Sequence, residues 1–323
     1  MSIRWGILGC GDVAHKRIAG AIAHQADSEL VAACRRDAAK LRDFCATYRV
    51  ERAYTNGDDL ISDPEVDALY IATPVHLHCP QTMAAAMAGK HVLVEKPMAL
   101  SLSECEAMVA ACQENGVTLG VAYYRRFYPI VERIGELLSA ERIGQPLSIT
   151  AVTATPFGFQ PGDDGYWRVL PTEGGGGALM DIGSHRVNLF LSLLGDITSV
   201  QAFCNTVGAT YQAENCASMI VRFESGAHGN VQCFFGSEVD PDEFTIMGTR
   251  GRLVASPLNG SELVIETAEG CRVESHPSPA NFNTPVVNDF VAAIREGREP
   301  RVSGEEGKRT NEVLERAYRS STS

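Results

Sequence analysis

Ile3-Arg4-Trp5-Gly6-Ile7-Leu8-Gly9-Cys10-Gly11-Asp12-Val13-Ala14 runs from an apolar strand pattern straight into a glycine turn and the start of a helix. Gly9 permits a tight strand-to-helix reversal. Gly11 lets the backbone approach a pyrophosphate seated on the helix N-terminus, and Ala14 stands where a third glycine is usual. Taken alone, the turn is a weak signal and also open to a plainer reading, a tight reversal that needs small residues. Its place after the first strand and within a βαβ unit favours dinucleotide binding, with Asp12 and Val13 counted among the cofactor residues.

Outward from this turn the chain alternates strand and helix patterns, as a parallel sheet covered by helices requires. Strands are expected at Ile3 to Leu8, Glu29 to Cys34, Ala68 to Ala72, His91 to Val94 and Thr118 to Tyr123. Helices are expected at Asp12 to His24, Asp37 to Tyr48, Pro80 to Ala88 and, from a capping box at Ser103-Glu104-Cys105-Glu106, on to about Asn115. After Tyr123 the rhythm changes. A helix from Pro129 to Ala140 precedes a glycine-rich stretch, Gly158 to Gly177, and strands predominate from Ser199 onward. Ser218 to Phe223 and His228 to Phe234 flank a hairpin at Glu224-Ser225-Gly226-Ala227, and Phe244 to Met247, Arg252 to Ser256 and Leu263 to Glu266 follow. Helical patterns at Pro285 to Glu296 and Ser303 to Ser320 close the chain.

With 323 residues the chain exceeds what one core usually serves, so two domains are expected, 1–122 and 123–323, the C-terminal helix being a candidate to pack back on the first. A net charge of -12 argues against a nucleic-acid partner, since phosphate backbones are held by clustered Lys and Arg. The ten cysteines are scattered singly, without a C-x-x-C pair, and read as buried thiols in a reducing compartment. No signal-like N-terminus and no apolar run near membrane-spanning length is seen, so no membrane partner is expected and the cytoplasm is the expected location.

Two local clusters refine the site. The second strand ends in Ala33-Cys34-Arg35-Arg36-Asp37, with two arginines where a carboxylate for the ribose 2′-hydroxyl is expected. Guanidinium groups match a 2′-phosphate, so NADP is favoured with NAD possible; a solvated basic patch with Asp37 as N-cap is the alternative. The fourth strand ends in Glu95-Lys96-Pro97. A proline there ends the ladder, its peptide bond can be cis, and Lys96 falls beyond the carboxyl end of a strand, where ligands bind in such sheets. A surface Lys-Glu pair is the competing reading.

The chain resembles the Gfo/Idh/MocA oxidoreductases in Gly9 to Ala14, in Ala72-Thr73-Pro74 followed by His76 and His78, and in Glu95-Lys96-Pro97. The resemblance continues through Trp167-Arg168, Gly174 to Gly177 and Asp181-Ile182-Gly183-Ser184-His185. These motifs stand in family order over most of the chain. The resemblance implies an α/β architecture: an N-terminal Rossmann domain with a parallel, doubly wound sheet, and a C-terminal α+β domain whose large, mostly antiparallel open sheet often mediates homodimers or homotetramers.

By the same resemblance, Lys96 steers the reacting oxygen, Asp181 orients it and His185 is the general acid/base, a role suited to an unperturbed pKa of about 6.5. Lys96 could be the base instead, if desolvated. Without the family order, Asp181 and His185 would read as a capped helix with a core histidine. Thr73, Pro74 and His76 would lie along the cofactor with Ala72, Cys34, Glu95 and Pro97, while Tyr124 and Arg125 fall at the domain junction. Trp167 and Arg168 would reach nicotinamide and substrate, and Tyr166 and Asn188 could meet a sugar hydroxyl. Arg186 reads as structural, and no metal is expected. The implied activity is NAD(P)-dependent hydride transfer at a CH–OH carbon of a sugar, sugar derivative or cyclitol. A glycosidase using NAD for transient oxidation and a noncatalytic dinucleotide sensor are the rivals.

Overall fold

A computed structural model describes residues 2–322. The chain forms two compact units, 1–124 with 281–309 and 125–280 with 310–323. Division at a single point, 122/123, is therefore too simple a description, because the chain returns to the first unit after completing most of the second.

The first unit holds β1 (Ile3–Leu8), α1 (Ala19–His24), β2 (Ser28–Cys34), α2 (Ala38–Tyr48), β3 (Arg52–Tyr54), α3 (Gly57–Ile61), β4 (Ala68–Ile71), α4 (His78–Met87), β5 (His91–Val94), α5 (Leu102–Glu114) and β6 (Leu119–Val121). Its six strands pair in parallel in the order β3-β2-β1-β4-β5-β6, the order shared by dinucleotide-binding folds. Both faces of the sheet are covered, which is why β4 is buried at every residue and reads as an unbroken apolar run. Trp5, Ile7, Tyr70 and Leu93 sit in this core. The helix after β1 opens with a π turn, Ala14–Ile18, before α1.

Two boundaries differ from the sequence reading. The cap of α5 is Ser101, not Ser103: its backbone is extended and its hydroxyl accepts from the Glu104 amide at 3.3 Å, while Glu104 reaches back to the Leu100 amide at 2.9 Å. The capping geometry thus sits two residues earlier, because Ser103 is already helical. β3 and α3 are additional elements, short pieces without a periodic signal.

The second unit contains α6 (Pro129–Ser139), β7 (Pro146–Thr155), α7 (Pro171–Gly174), α8 (Ser184–Leu194), β8 (Ile197–Asn205), β9 (Cys216–Phe223), β10 (His228–Phe235), β11 (Asp242–Gly248), β12 (Gly251–Ala255), β13 (Glu262–Thr267) and β14 (Gly270–Ser275). The eight strands order as β14-β13-β12-β11-β7-β10-β9-β8, antiparallel throughout except for the β7/β10 pair. Alternation of buried and open residues along β9 and β10 marks a sheet with one covered face. α8 is buried on nearly every residue, including Arg186, whose guanidinium pairs with Asp242 at the start of β11.

The chain ends in α9 (Thr284–Glu296) and α10 (Gly304–Ser321). α9 belongs to the first unit, where Phe290 packs 5.5 Å from the Trp5 ring and against Gly120, whose missing Cβ leaves room for it. The later part of α10 belongs to the second unit.

The Arg186–Asp242 pair gives a direct test of this packing. Both side chains are almost fully buried, so removing one strands a charge in a low-dielectric core. Arg186→Met is expected to cost about 3–5 kcal/mol in urea unfolding, and Arg186→Met with Asp242→Asn markedly less. Equal losses from the single and double variants would contradict the pairing.

Candidate active site

The candidate cofactor cradle is built where β1, β2 and β4 end together in the first unit. Gly9 has φ +90° and its amide donates to the Cys34 carbonyl at 3.0 Å, with the Cys10 amide at 3.3 Å from the same oxygen. Cys34 therefore contributes its backbone, its side chain being buried. A Cβ on Gly9 would stand 2.6 Å from the Ala72 carbonyl oxygen, so only glycine lets these strand ends converge. A Cβ on Gly11 would meet no protein atom within 4 Å. The backbone there faces open space at a helix N-terminus, the cradle a pyrophosphate needs, and the residues present fit a bound dinucleotide.

At the end of β2 the two arginines divide their work. The Arg35 guanidinium donates to the Cys10 carbonyl and so braces the glycine turn, whereas Arg36 is exposed. Asp37 is the N-cap of α2, accepting from the Ala39 amide at 2.9 Å and the Lys40 amide at 3.1 Å. Those bonds hold its carboxyl below the usual range. Asp12 is exposed and paired with Lys16 at 2.8 Å, and Val13 is half-buried beside it.

At the ends of β4 and β5, Thr73 donates its hydroxyl to Gln81 at 2.7 Å, Pro74 precedes the 3-10 turn that carries His76, and the Lys96–Pro97 bond is cis. Glu95 accepts the Tyr70 hydroxyl on one oxygen and the Lys96 amide on the other at 3.1 Å. Burial and the neighbouring Glu95 charge push the Tyr70 hydroxyl well above its ordinary value, keeping it a donor. His78 is fully buried between the two loops, Nε2 2.9 Å from the Thr73 carbonyl and Nδ1 3.1 Å from that of Pro97. Burial drives its pKa down to about 4, so the ring is neutral at physiological pH and donates to only one of these carbonyls. Sequence reasoning named His78 without a role and missed Tyr70, whose only signal was a tyrosine inside an apolar strand. Tyr124 is buried, stacked on Phe282 with ring centroids 6.3 Å apart and with the Arg17 guanidinium 5.1 Å from its own.

In the second unit, a 3-10 turn, Tyr166–Val169, presents Tyr166, Trp167 and Arg168. The Arg168 guanidinium lies 4.6 Å from the Trp167 ring centroid and 5.6 Å from that of Phe159, and its Nε is 3.6 Å from Asp181. Asp181 rides on a second π turn, Leu179–Gly183, which runs into α8 with His185 in its first turn. π turns inside α-helices recur at functional sites. His185 is buried, and Asp181 is about a fifth exposed. Asn188 is fully buried and donates to the Thr310 hydroxyl at 3.0 Å, so its amide nitrogen is engaged within the fold. Arg125 donates to Asn259 at 3.3 Å.

These geometries match known proteins along the whole chain. Residues 3–123 fit the model described as "Oxidoreductase family, NAD-binding Rossmann fold", and residues 131–254 the Gfo/Idh/MocA C-terminal domain. Oxidoreductase P35 of Formosa agariphila is 31% identical over 90% of this chain and 90% of its own. A D-xylose 1-dehydrogenase (NADP(+)) of Haloferax volcanii is 29% identical over 98% and 96%. Among solved structures, an aldose-aldose oxidoreductase from Caulobacter crescentus, complexed with glycerol, superposes with a TM-score of 0.91 at 28% identity, covering 100% and 98% of the two chains. The chain belongs to the Gfo/Idh/MocA family and is a nicotinamide-dinucleotide-dependent oxidoreductase acting on CH–OH groups.

Proposed function

We propose that this enzyme transfers hydride between NADP(H) and a carbinol or carbonyl carbon of a sugar, sugar derivative or cyclitol. The observation that carries the reading is the Arg168–Asp181 ion pair on the turn that runs directly into α8, whose first turn carries the buried His185. The similarity to proteins named for xylose and aldoses supports the substrate class. The nicotinamide supplies the hydride donor or acceptor at C4. The protein's task is to hold the reacting carbon and manage one proton.

Each residue has a chemical part. His185 takes the hydroxyl proton during oxidation and returns it during reduction. Asp181, its charge offset by Arg168, orients the substrate oxygen. Lys96 places a positive charge where negative charge develops on that oxygen, a stabilisation made in the transition state. Tyr70 and Glu95 steady the backbone that carries Lys96.

Lys96→Ala and His185→Ala are each expected to lower kcat/KM by roughly 100-fold or more on the best substrate from a panel of aldoses, polyols and cyclitols. Dinucleotide binding should persist. Unchanged turnover in both variants would overturn the assignment, and cofactor retained through purification without net reduction would favour the glycosidase reading.

Arg36, exposed just beyond the end of β2, is the proposed partner of the 2′-phosphate. A hydrogen bond to a charged group is worth about 1.5–3 kcal/mol, so Arg36→Ala should weaken NADP binding by roughly 10- to 100-fold and leave NAD binding unchanged. Arg35→Ala should weaken both, because it also braces Cys10. Wild-type preference for NAD, in parallel titrations, would sink the argument for NADP.

The outer face of the second sheet carries exposed Phe203, Ile220 and Met247 on β8, β9 and β11. Exposed apolar side chains on one open sheet face support a homodimer or homotetramer built through it. Light scattering should show Phe203→Asp with Ile220→Asp converting the oligomer to monomer; a wild-type monomer would refute this.

A further inference from the structure

The glycine run Gly174 to Gly177 has no part in the chemistry above, and its surroundings say why it is there. Gly177 leads into the helical stretch that carries Asp181 and His185, and three consecutive backbone amides at that start all donate to one residue. Gly177 N–H donates to Oε2 of Glu214 at 2.8 Å, Ala178 N–H to its backbone carbonyl at 3.1 Å and Leu179 N–H to Oε1 at 2.9 Å. The first amides of a helix have no intrahelical partner, so this single loop residue satisfies most of them. A carboxylate there also meets the positive end of the helix.

The fit is close on every side. A Cβ on Gly177 would stand 1.8 Å from the Glu214 carbonyl oxygen, and one on Gly176 would stand 2.1 Å from the Tyr318 hydroxyl. Tyr318, from α10, donates that hydroxyl to Oε1 of Glu214 at 2.8 Å and covers the carboxylate. Glu214 is 8% exposed. Burial pushes its carboxyl up, opposed first by the Tyr318 bond and then by the bonds from the helix start. No ordinary N-cap could do this, since the cap position is itself a glycine without a side chain.

We infer that Glu214 is a positioning residue: gripped between Tyr318 and the amides of Gly177 to Leu179, it fixes the register of the helical segment that presents Asp181 and His185. This rests on the proposed role of His185. The carboxylate accepts on both oxygens. An amide in its place must turn an NH2 toward a donor, so Glu214→Gln loses at least one bond without changing shape.

Two measurements test it, hydrogen exchange on the apoenzyme and kinetics on the best sugar of the panel. In Glu214→Gln the peptide spanning 176–186 should exchange roughly 10-fold faster or more while the sheet peptide 216–235 is unchanged. Tyr318→Phe, which keeps the ring and the amide bonds, should show the same pattern at smaller size. In kinetics, Glu214→Gln should lower kcat by roughly 10- to 100-fold with KM for NADP unchanged, and should add nothing in a His185→Ala background. Unaltered exchange at 176–186, uniformly faster exchange everywhere, or an equal further loss in the His185→Ala background would overturn it. Full turnover by His185→Ala would contradict the reading of His185 instead, and the exchange arm still reports whether Glu214 holds the helix.

Discussion

A carbonyl oxygen 2.6 Å from the place where residue 9 would carry a Cβ is the constraint on which the first unit turns. It forces glycine at the end of β1 and brings the ends of β1, β2 and β4 together. The helix that follows then starts with its amides beside an open backbone at Gly11. Arg35 ties the neighbouring strand end to the same turn, and His78 lies between the Thr73 and Pro97 loops. A helix start that binds phosphate by backbone needs no excess of cations, which reconciles a net charge of -12 with an anionic cofactor.

The second unit meets a comparable constraint by a different device. A glycine run removes the side chains that would obstruct a clamp, and a remote carboxylate supplies the cap the run cannot. Arg168 is fixed between two aromatic rings and Asp181, so its charge is delivered at a set place. Behind the same helix, Arg186 and Asp242 form a buried pair, and Asn188 is held by Thr310. Each reacting candidate in this unit is thus backed by groups that do not themselves react.

What could be read from sequence followed from how local the signal was. β4 and β5 are buried on both faces and announce themselves as apolar runs, and the turn at Gly9 carries its constraint in adjacent residues. β7, in the middle of the second sheet, was missed although Ile149, Val152 and its threonines favour a strand, whereas β14 is polar and open along most of its length and gave no strand pattern. The return of 281–309 to the first unit depends on contacts such as Trp5 with Phe290, far apart in the chain. Family order singled out Asp181 and His185, but Glu214 stands 37 residues from Gly177 and is an ordinary loop acid until the fold closes. For Asn188, a hydroxyl-ligand candidate from spacing, it took the fold to show that the amide nitrogen donates to Thr310.

Everything proposed for the chemistry rests on direct hydride exchange between a carbohydrate carbon and the nicotinamide. The measurement that tests it most directly is deuterium transfer from sugars and polyols labelled at their carbinol carbons, followed by proton NMR of the nicotinamide. Label is expected at C4 of the reduced cofactor, on one face and at the rate of turnover. Label lost to solvent, or turnover with no label at C4, would contradict it.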